Sequence, residues 1–321
     1  MALEVLILRY YLKIFSIIFF VTTTLVSIYI YNVLNRPIKL NTNIVTISKG
    51  DTLLNIIDKN FDRKITNKLI YKYFYKIHSF TYKKSIHFGE FFISENSSFI
   101  KILETISKPS NILNKITIVE GWSKNDLENE LSKHFKNFES IEYNQILADT
   151  YYYNNDENFI IFDQKLKNFK MKYLDRYKNN NLLNDYSFEE IIIIGSMIEK
   201  EGLDFNDKRK ISSVIFNRLN NNMRLQIDAT VIYAITNGNY NLNRQLLYSD
   251  LKVNDLYNTY VYKGLPPGPI SYVGTKTIDI IFENYKTDFL FYFFNDKLKK
   301  HIFSKNYNEH KMKLNEYRKN K

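Results

Sequence analysis

The chain has 321 residues, enough for about two domains with cores of their own. Its formal charge of +11 raises the question of nucleic acid, but the 45 basic residues are scattered, and no zinc-finger, glycine-rich phosphate or RNA-binding aromatic pattern accompanies them, so no nucleic-acid partner is expected. Cysteine is absent, which removes disulfides and thiolate metal sites. His78, His87, His134, His301 and His310 show no paired ligand spacing, so neither metal nor cofactor is expected.

From the N-terminus, Ile14 to Asn35 contains no Asp, Glu, Lys or Arg. A helix of about 20 residues spans a bilayer's hydrocarbon core, so one membrane span is predicted. Arg9 and Lys13 precede it and Arg36 and Lys39 follow, so flanking charge gives little orientation. A short N-terminus before a large domain favours the N-terminus inside, and no small-residue cleavage site follows, which points to an uncleaved anchor. Asn43 to Ser48 alternates like a strand, Lys49-Gly50-Asp51 makes a turn, and Thr52 to Phe61 has helical periodicity. Gly89 to Ile93 reads as a second strand and Ser97 to Ile106 as a second helix. Lys115 to Val119 then opens a larger domain as a strand, followed by a helix from Asn125 to His134, a loop or insertion from Tyr151 to Asp163, and a charged helix from Lys165 to Lys178.

Ser187 and Glu190 form a capping-box pattern ahead of Ile191-Ile192-Ile193-Ile194 and Met197-Ile198, which predicts a helix buried on most sides and stopped by a left-handed Gly202. Glu199 falls in its last turn, where unpaired carbonyls and apolar neighbours raise a carboxyl pKa, as a general acid requires. It shares a face with Gly195 and Ser196, small residues that leave room for a ligand; Glu201 projects elsewhere, towards Ile194, Met197 and Ile198. Solvated charge at a helix end is the bland reading of Glu-Lys-Glu. Downstream, Asn217, Gln226, Thr230, Tyr233, Tyr257, Asn258 and Thr259 offer neutral donors, acceptors and a stacking face suited to sugar, and Gly264 to Pro269, with Pro266 and Pro267, makes a stiff loop able to wall a groove. The bland reading of Asn217 and Arg218 is capping and surface charge. Asp228 is either the cap of the following helix or a second carboxylate.

The blocks Gly195 to Glu201, Val214 to Leu219, Leu225 to Tyr233, and Tyr257 to Tyr260 with Gly264 to Ile270 resemble, in order, the signature of the MltG-type (YceG-like) endolytic murein transglycosylases. A weaker likeness extends to Thr117-Ile118-Val119-Glu120-Gly121-Trp122-Ser123. The resemblance implies an α+β protein with a cytoplasmic tip and transmembrane anchor (1–37), a LysM-like subdomain (38–113) and a mixed α+β catalytic domain (114–321), fixed in the bacterial cytoplasmic membrane with the catalytic domain outside. It implies peptidoglycan glycan strands as substrate, the machinery that polymerises and cross-links peptidoglycan as a partner, and Glu199 as the catalytic glutamate with Glu201 second. Departures stand at Gly195, Gly202, Ala229, Val261 and Tyr272-Val273, where the family usually has Ala, Thr, Pro, Arg and Asn-Pro.

Ordinary glycosidases need two carboxylates. The implied lytic reaction needs one, which protonates the bridging oxygen and then takes the proton of the muramyl 6-hydroxyl as that oxygen closes on the anomeric carbon, leaving a 1,6-anhydro end. A hydrolase would need Asp228 opposite Glu199. A glycan-binding scaffold without turnover is the reading from another class.

Overall fold

The computed structural model describes residues 2–62, 66–155 and 157–319, with side chains from residue 9 onwards. Contacts within the chain group it into two units, Met1–Asn114 with Tyr153–Asp156, and Lys115–Tyr152 with Glu157–Lys321.

The first unit begins with α1 (Ala2–Asn35), of which Arg9–Asn35 is long and apolar enough to cross a membrane. Its hydroxyls turn inward: Thr22, Thr23, Thr24 and Ser27 each donate to a carbonyl three or four residues back, so the Thr22-Thr23-Thr24 interruption leaves no unpaired hydroxyl on the apolar surface. The strand, turn and helix read from the sequence are present as β1 (Ile44–Ile47), Gly50 at φ +90°, and α2 (Leu53–Asn60) capped by Thr52. Then come α3 (Lys68–Tyr82), β2 (Gly89–Phe92) and α4 (Phe99–Ile106), the last capped by Ser98. β1 and β2 pair antiparallel, Ile44 opposite Phe92 and Ile47 opposite Gly89. Val45, Ile56, Ile57, Phe91, Phe99 and Ile102 form the core, which also takes in Val33 and Leu34 from the end of α1.

The second unit contains β3 (Asn114–Thr117), α5 (Lys124–Leu131), β4 (Thr150–Tyr153) and α6 (Phe159–Asp175). The expected loop from Tyr151 to Asp163 is therefore partly a strand and partly the first turn of a helix. Its alternating tyrosines put Tyr151 and Tyr153 inward and Tyr152 outward, a strand period that the polar neighbours obscured; residue 156 lies outside the described residues. Helix α7 (Phe188–Glu201) starts at the predicted capping box, with both Ser187 and Glu190 side chains engaged. Ile191 to Ile198 are all buried, and at about 1.5–3 kcal/mol per large apolar side chain this makes α7 the anchor of the unit. Around it lie α8 (Phe205–Asn220), α9 (Asp228–Thr236) and α10 (Thr275–Glu283). The hairpin β5 (Phe291–Asn295) and β6 (Lys300–Ser304), with Phe291 opposite Ser304, is followed by α11 (Tyr307–Lys319).

Two local expectations are corrected. Gly202 ends α7 in extended geometry, φ −79° and ψ 140°, not as a left-handed stop. Its lack of a side chain matters for space instead, because a Cβ there would sit 2.3 Å from Lys208 Cγ. Gly195 makes no room for a ligand: a Cβ would lie 2.7 Å from Val273 Cγ1, so the space is taken by the loop that precedes α10.

Candidate active site

The last turn of α7 sends its two glutamates to different surroundings. Glu199 is 1% exposed and forms an ion pair with Lys208 of α8, whose side chain is 19% exposed. Its other oxygen accepts the Gly274 amide at 2.9 Å. Lys208 also donates to Thr277 at 3.2 Å. Both oxygens of Glu199 thus tie α7 to α8 and to the start of α10. The Glu199 carboxylate thus bonds only to protein groups here, with the partly exposed Lys208 beside it. Ser196 is likewise consumed, donating to Ile193 and accepting from the Ile270 amide at 3.0 Å.

Glu201 differs. As whole residues both glutamates are partly exposed, but burial of the Glu201 carboxyl is the first cause pushing it above the ordinary range, with the Asp228 carboxylate the second. The Tyr292 hydroxyl of β5, which donates at 3.3 Å, the Ala229 amide and His301 work in the opposite direction without cancelling the rise. His301 of β6 is held by Asp207, Nδ1 to carboxylate 2.8 Å, and packs edge-on against the Tyr292 ring at 5.3 Å. Asp228, exposed in the first turn of α9, accepts the Tyr260 hydroxyl at 2.6 Å. It makes no capping bond; Ile227 holds the cap position, so the expectation of a capping Asp228 is corrected. Its neighbour is Glu201, not Glu199.

Arg218 is 7% exposed, which overturns the surface-charge reading. Its guanidinium donates to Leu290 O at 2.7 Å, Leu225 O at 2.7 Å, Arg224 O at 3.1 Å and Gln226 Oε1 at 3.4 Å. The chain between α8 and α9 is thereby held while Gln226, exposed, sits at φ +51°. Such left-handed backbone in a non-glycine residue is strained, and strain of this kind gathers at functional sites.

Several expected sugar contacts serve the scaffold instead. Asn217 donates to Thr287 O at 2.7 Å and Phe289 O at 2.9 Å. Thr230 and Thr259 are buried and share a hydroxyl bond of 2.8 Å, and Thr259 also accepts the Ile227 amide. Asn258, fully buried, donates to Leu251 and Val253 carbonyls and accepts the Tyr260 amide. Thr230, Asn258 and Thr259 are buried behind the site, whereas Asn217 is half-buried. Tyr233 and Tyr257 remain half-buried with ring centroids 4.6 Å apart. Gly264 takes φ +85°, Pro266 is buried and Pro267 exposed. No cluster of His, Cys, Asp or Glu suited to a metal occurs among the described residues.

The family departures at Tyr272-Val273 have a packing explanation. Tyr272 is fully buried, donates to Ile141 O and meets Tyr143 edge-on at 4.8 Å, while Val273 fills the space over Gly195. Sequence reasoning missed Tyr292, His301, Lys208 and the buried role of Arg218. Lys208 and Arg218 were legible: positions 208, 211, 215 and 218 recur at helical spacing around Ile211 and Ile215. Nothing near Tyr292 or His301 distinguishes them in one sequence.

These features define a mixed α+β protein in which the last turn of α7 carries Glu199, paired with Lys208, and Glu201, close to the exposed Asp228. The model of the YceG-like family matches residues 45–316, and the chain belongs to that family. Over 145 residues it is 36% identical to the endolytic murein transglycosylase of Bacillus subtilis, covering 45% of this chain and 39% of the relative. A protein of the same description from Streptococcus pneumoniae is 30% identical over 138 residues, 43% of this chain and 24% of the relative. The matched region thus spans well under half of either relative's length. The fold is similar to that of a YceG-like protein from Listeria monocytogenes, with a TM-score of 0.53 and 22% identity over 84% of this chain and 98% of that one.

Proposed function

We propose that the chain is an endolytic lytic transglycosylase that cuts the MurNAc-GlcNAc bond of nascent peptidoglycan strands and so limits their length, with Glu201 rather than Glu199 as the acid. The relatives named endolytic murein transglycosylases support the reaction class. The observation that carries the choice of residue is the environment of Glu201: its carboxyl is pushed up by burial and by Asp228, with Asp228 and Gln226 exposed nearby. A neutral Glu201 protonates the glycosidic oxygen as the anomeric bond breaks. The resulting carboxylate takes the proton of the muramyl 6-hydroxyl while that oxygen bonds to the anomeric carbon, so the acid is regenerated and no water is consumed. Asp228 supplies negative charge beside the developing oxocarbenium, steadied by Tyr260, and Tyr292 orients the acid. Tyr233 and Tyr257 offer a stacking face for sugar. Glu199 acts as a structural tie.

In the same reading α1 is a single-pass anchor with the second unit extracytoplasmic, and peptidoglycan synthases are the partner class. The antiparallel pair β1 and β2, with α2 and α4 on a shared core, supports a LysM-like first unit. Glu201→Gln keeps size and hydrogen bonding but cannot donate the proton, so turnover on isolated glycan strands falls by about a hundredfold or more. Products analysed by mass spectrometry in heavy-oxygen water carry 1,6-anhydro ends without the label. Labelled reducing ends would convert the reaction to hydrolysis, with Asp228 activating water beside the acid. Full activity of Glu201→Gln would return the assignment to Glu199.

A further inference from the structure

Helix α3 leaves one apolar face uncovered. Its inner side is Tyr71, fully buried and stacked on Phe99 at 4.3 Å, with Phe74 and Tyr75 packed beside it. On the other side Leu69, Tyr73, Ile77 and Phe80 follow at intervals of four, four and three residues, a helical spacing that aligns them in one stripe. They are 64%, 61%, 67% and 88% exposed. A continuous apolar stripe of this kind marks a contact surface.

Its charge selects the partner. From Thr66 to Gly89 the chain carries Lys68, Lys72, Lys76, Lys83 and Lys84 and no acidic residue. Lys68 is paired with Asp58, whereas Lys72 and Lys76 are exposed and immediately precede Tyr73 and Ile77, bordering the stripe. Two copies of such a face repel each other. An anionic lipid surface attracts it.

The position of α3 in the first unit agrees. Asn67, just before α3, accepts a hydrogen bond from the Tyr29 hydroxyl at 3.3 Å. Tyr29 stands six residues before the end of α1, about 9 Å along the helix, and inside the charge-free stretch. Helix α3 therefore begins where α1 leaves its apolar segment, at the level marked by exposed Tyr29 and Tyr31, the side-chain type that gathers at membrane interfaces.

We propose that α3 is an interfacial helix lying on the membrane surface at which α1 ends, with the Leu69-Tyr73-Ile77-Phe80 stripe sunk among the lipids and Lys72 and Lys76 on anionic headgroups. The inference rests on α1 spanning the membrane. Because the chain has no cysteine, single-cysteine variants of the full protein can carry an environment-sensitive fluorophore at Phe80→Cys and, independently, Ile77→Cys. Phe20→Cys in α1 reports the anchor, and Asn55→Cys on the exposed side of α2 reports solvent. In proteoliposomes of phosphatidylethanolamine and phosphatidylglycerol, brominated lipid quenches positions 80, 77 and 20 by about half or more and leaves 55 unchanged. Replacing phosphatidylglycerol with phosphatidylcholine, or combining Lys72→Gln with Lys76→Gln, weakens quenching at 80 but not at 20. Quenching at 20 without quenching at 77 or 80 overturns the inference and keeps the anchor. Absence of quenching at 20 as well overturns both. A blue shift at 80 that grows with protein density and ignores brominated lipid assigns the stripe to a second copy and likewise overturns it.

Discussion

Replacing Glu199 tests whether it is the tie proposed for it or the acid. Removing one partner of a buried ion pair strands the other charge and costs about 3–5 kcal/mol in general. Here the stranded group is Lys208, 19% exposed and also bonded to Thr277, so water and the threonine hydroxyl recover part of that cost. Glutamine at 199 still accepts the Gly274 amide. Glu199→Gln is thus expected to destabilise the second unit by about 2–3 kcal/mol, and Glu199→Ala, which also leaves that amide without its acceptor, by about 1 kcal/mol more. Urea-dependent pulse proteolysis of the full chain in detergent measures the loss. Turnover is followed in parallel at low temperature, where the variants remain folded, and stays within about tenfold of the parent. Adding Lys208→Met to Glu199→Gln removes the stranded ammonium and restores part of the stability, a non-additivity that identifies the pair as the cause. An unchanged unfolding midpoint together with abolished turnover in Glu199→Gln would refute this reasoning and make Glu199 the acid.

At Glu201 the opposite sign is expected. Its folded carboxyl lies above the ordinary 4.5, so the cost of ionising it is absent below that pH and grows as pH rises through the raised value. Glu201→Gln accordingly raises the melting temperature at neutral and alkaline pH, with a gain that vanishes in melts below pH 4.5. Parent activity falls as pH rises and Glu201 loses its proton, a limb that the pH-rate profile of Glu199→Gln retains. Gly195→Ala gains about 1 kcal/mol of helix propensity but drives a methyl to 2.7 Å from buried Val273, so a net loss of about 1–2 kcal/mol is expected by urea melts. Combined with Val273→Ala the loss is less than the sum of the single effects, whereas strict additivity would show that the two residues do not share that space.

Most helices and their starts were legible, because Thr52, Ser98 and Ser187 are local signals that act within one turn. The capping box on α7 fixed the helix phase well enough to separate the faces of Glu199 and Glu201. The local argument for Glu199 has the right physics but applies as well to its neighbour. Apolar neighbours and unpaired terminal carbonyls do raise a carboxyl pKa, but Met197 and Ile198 lie beneath Glu201, the final residue of α7. The small residues beneath Glu199 were read as room for a ligand when they were room for Val273 and the Ile270 amide. No local pattern carries that information, since the partners are more than seventy residues away. The same limit hid Tyr292 and His301 beside Glu201. Asn217, Asn258 and Thr259 stood in the right segments but turned their polar atoms to backbone carbonyls and amides, as buried amides and hydroxyls must when no water reaches them.

Tyr292 and His301 belong to a hairpin roughly a hundred residues beyond the acid that they flank. For a chain made from its N-terminus, this order sets a sequence in time. Glu201, its helix and Asp228 emerge first, and Tyr292 and His301 reach them only once the β5–β6 hairpin has followed and docked. A nascent chain stalled before Phe291 would carry Glu201 and Asp228 without Tyr292 and His301. The surroundings of Glu201 would be complete only when synthesis is nearly over.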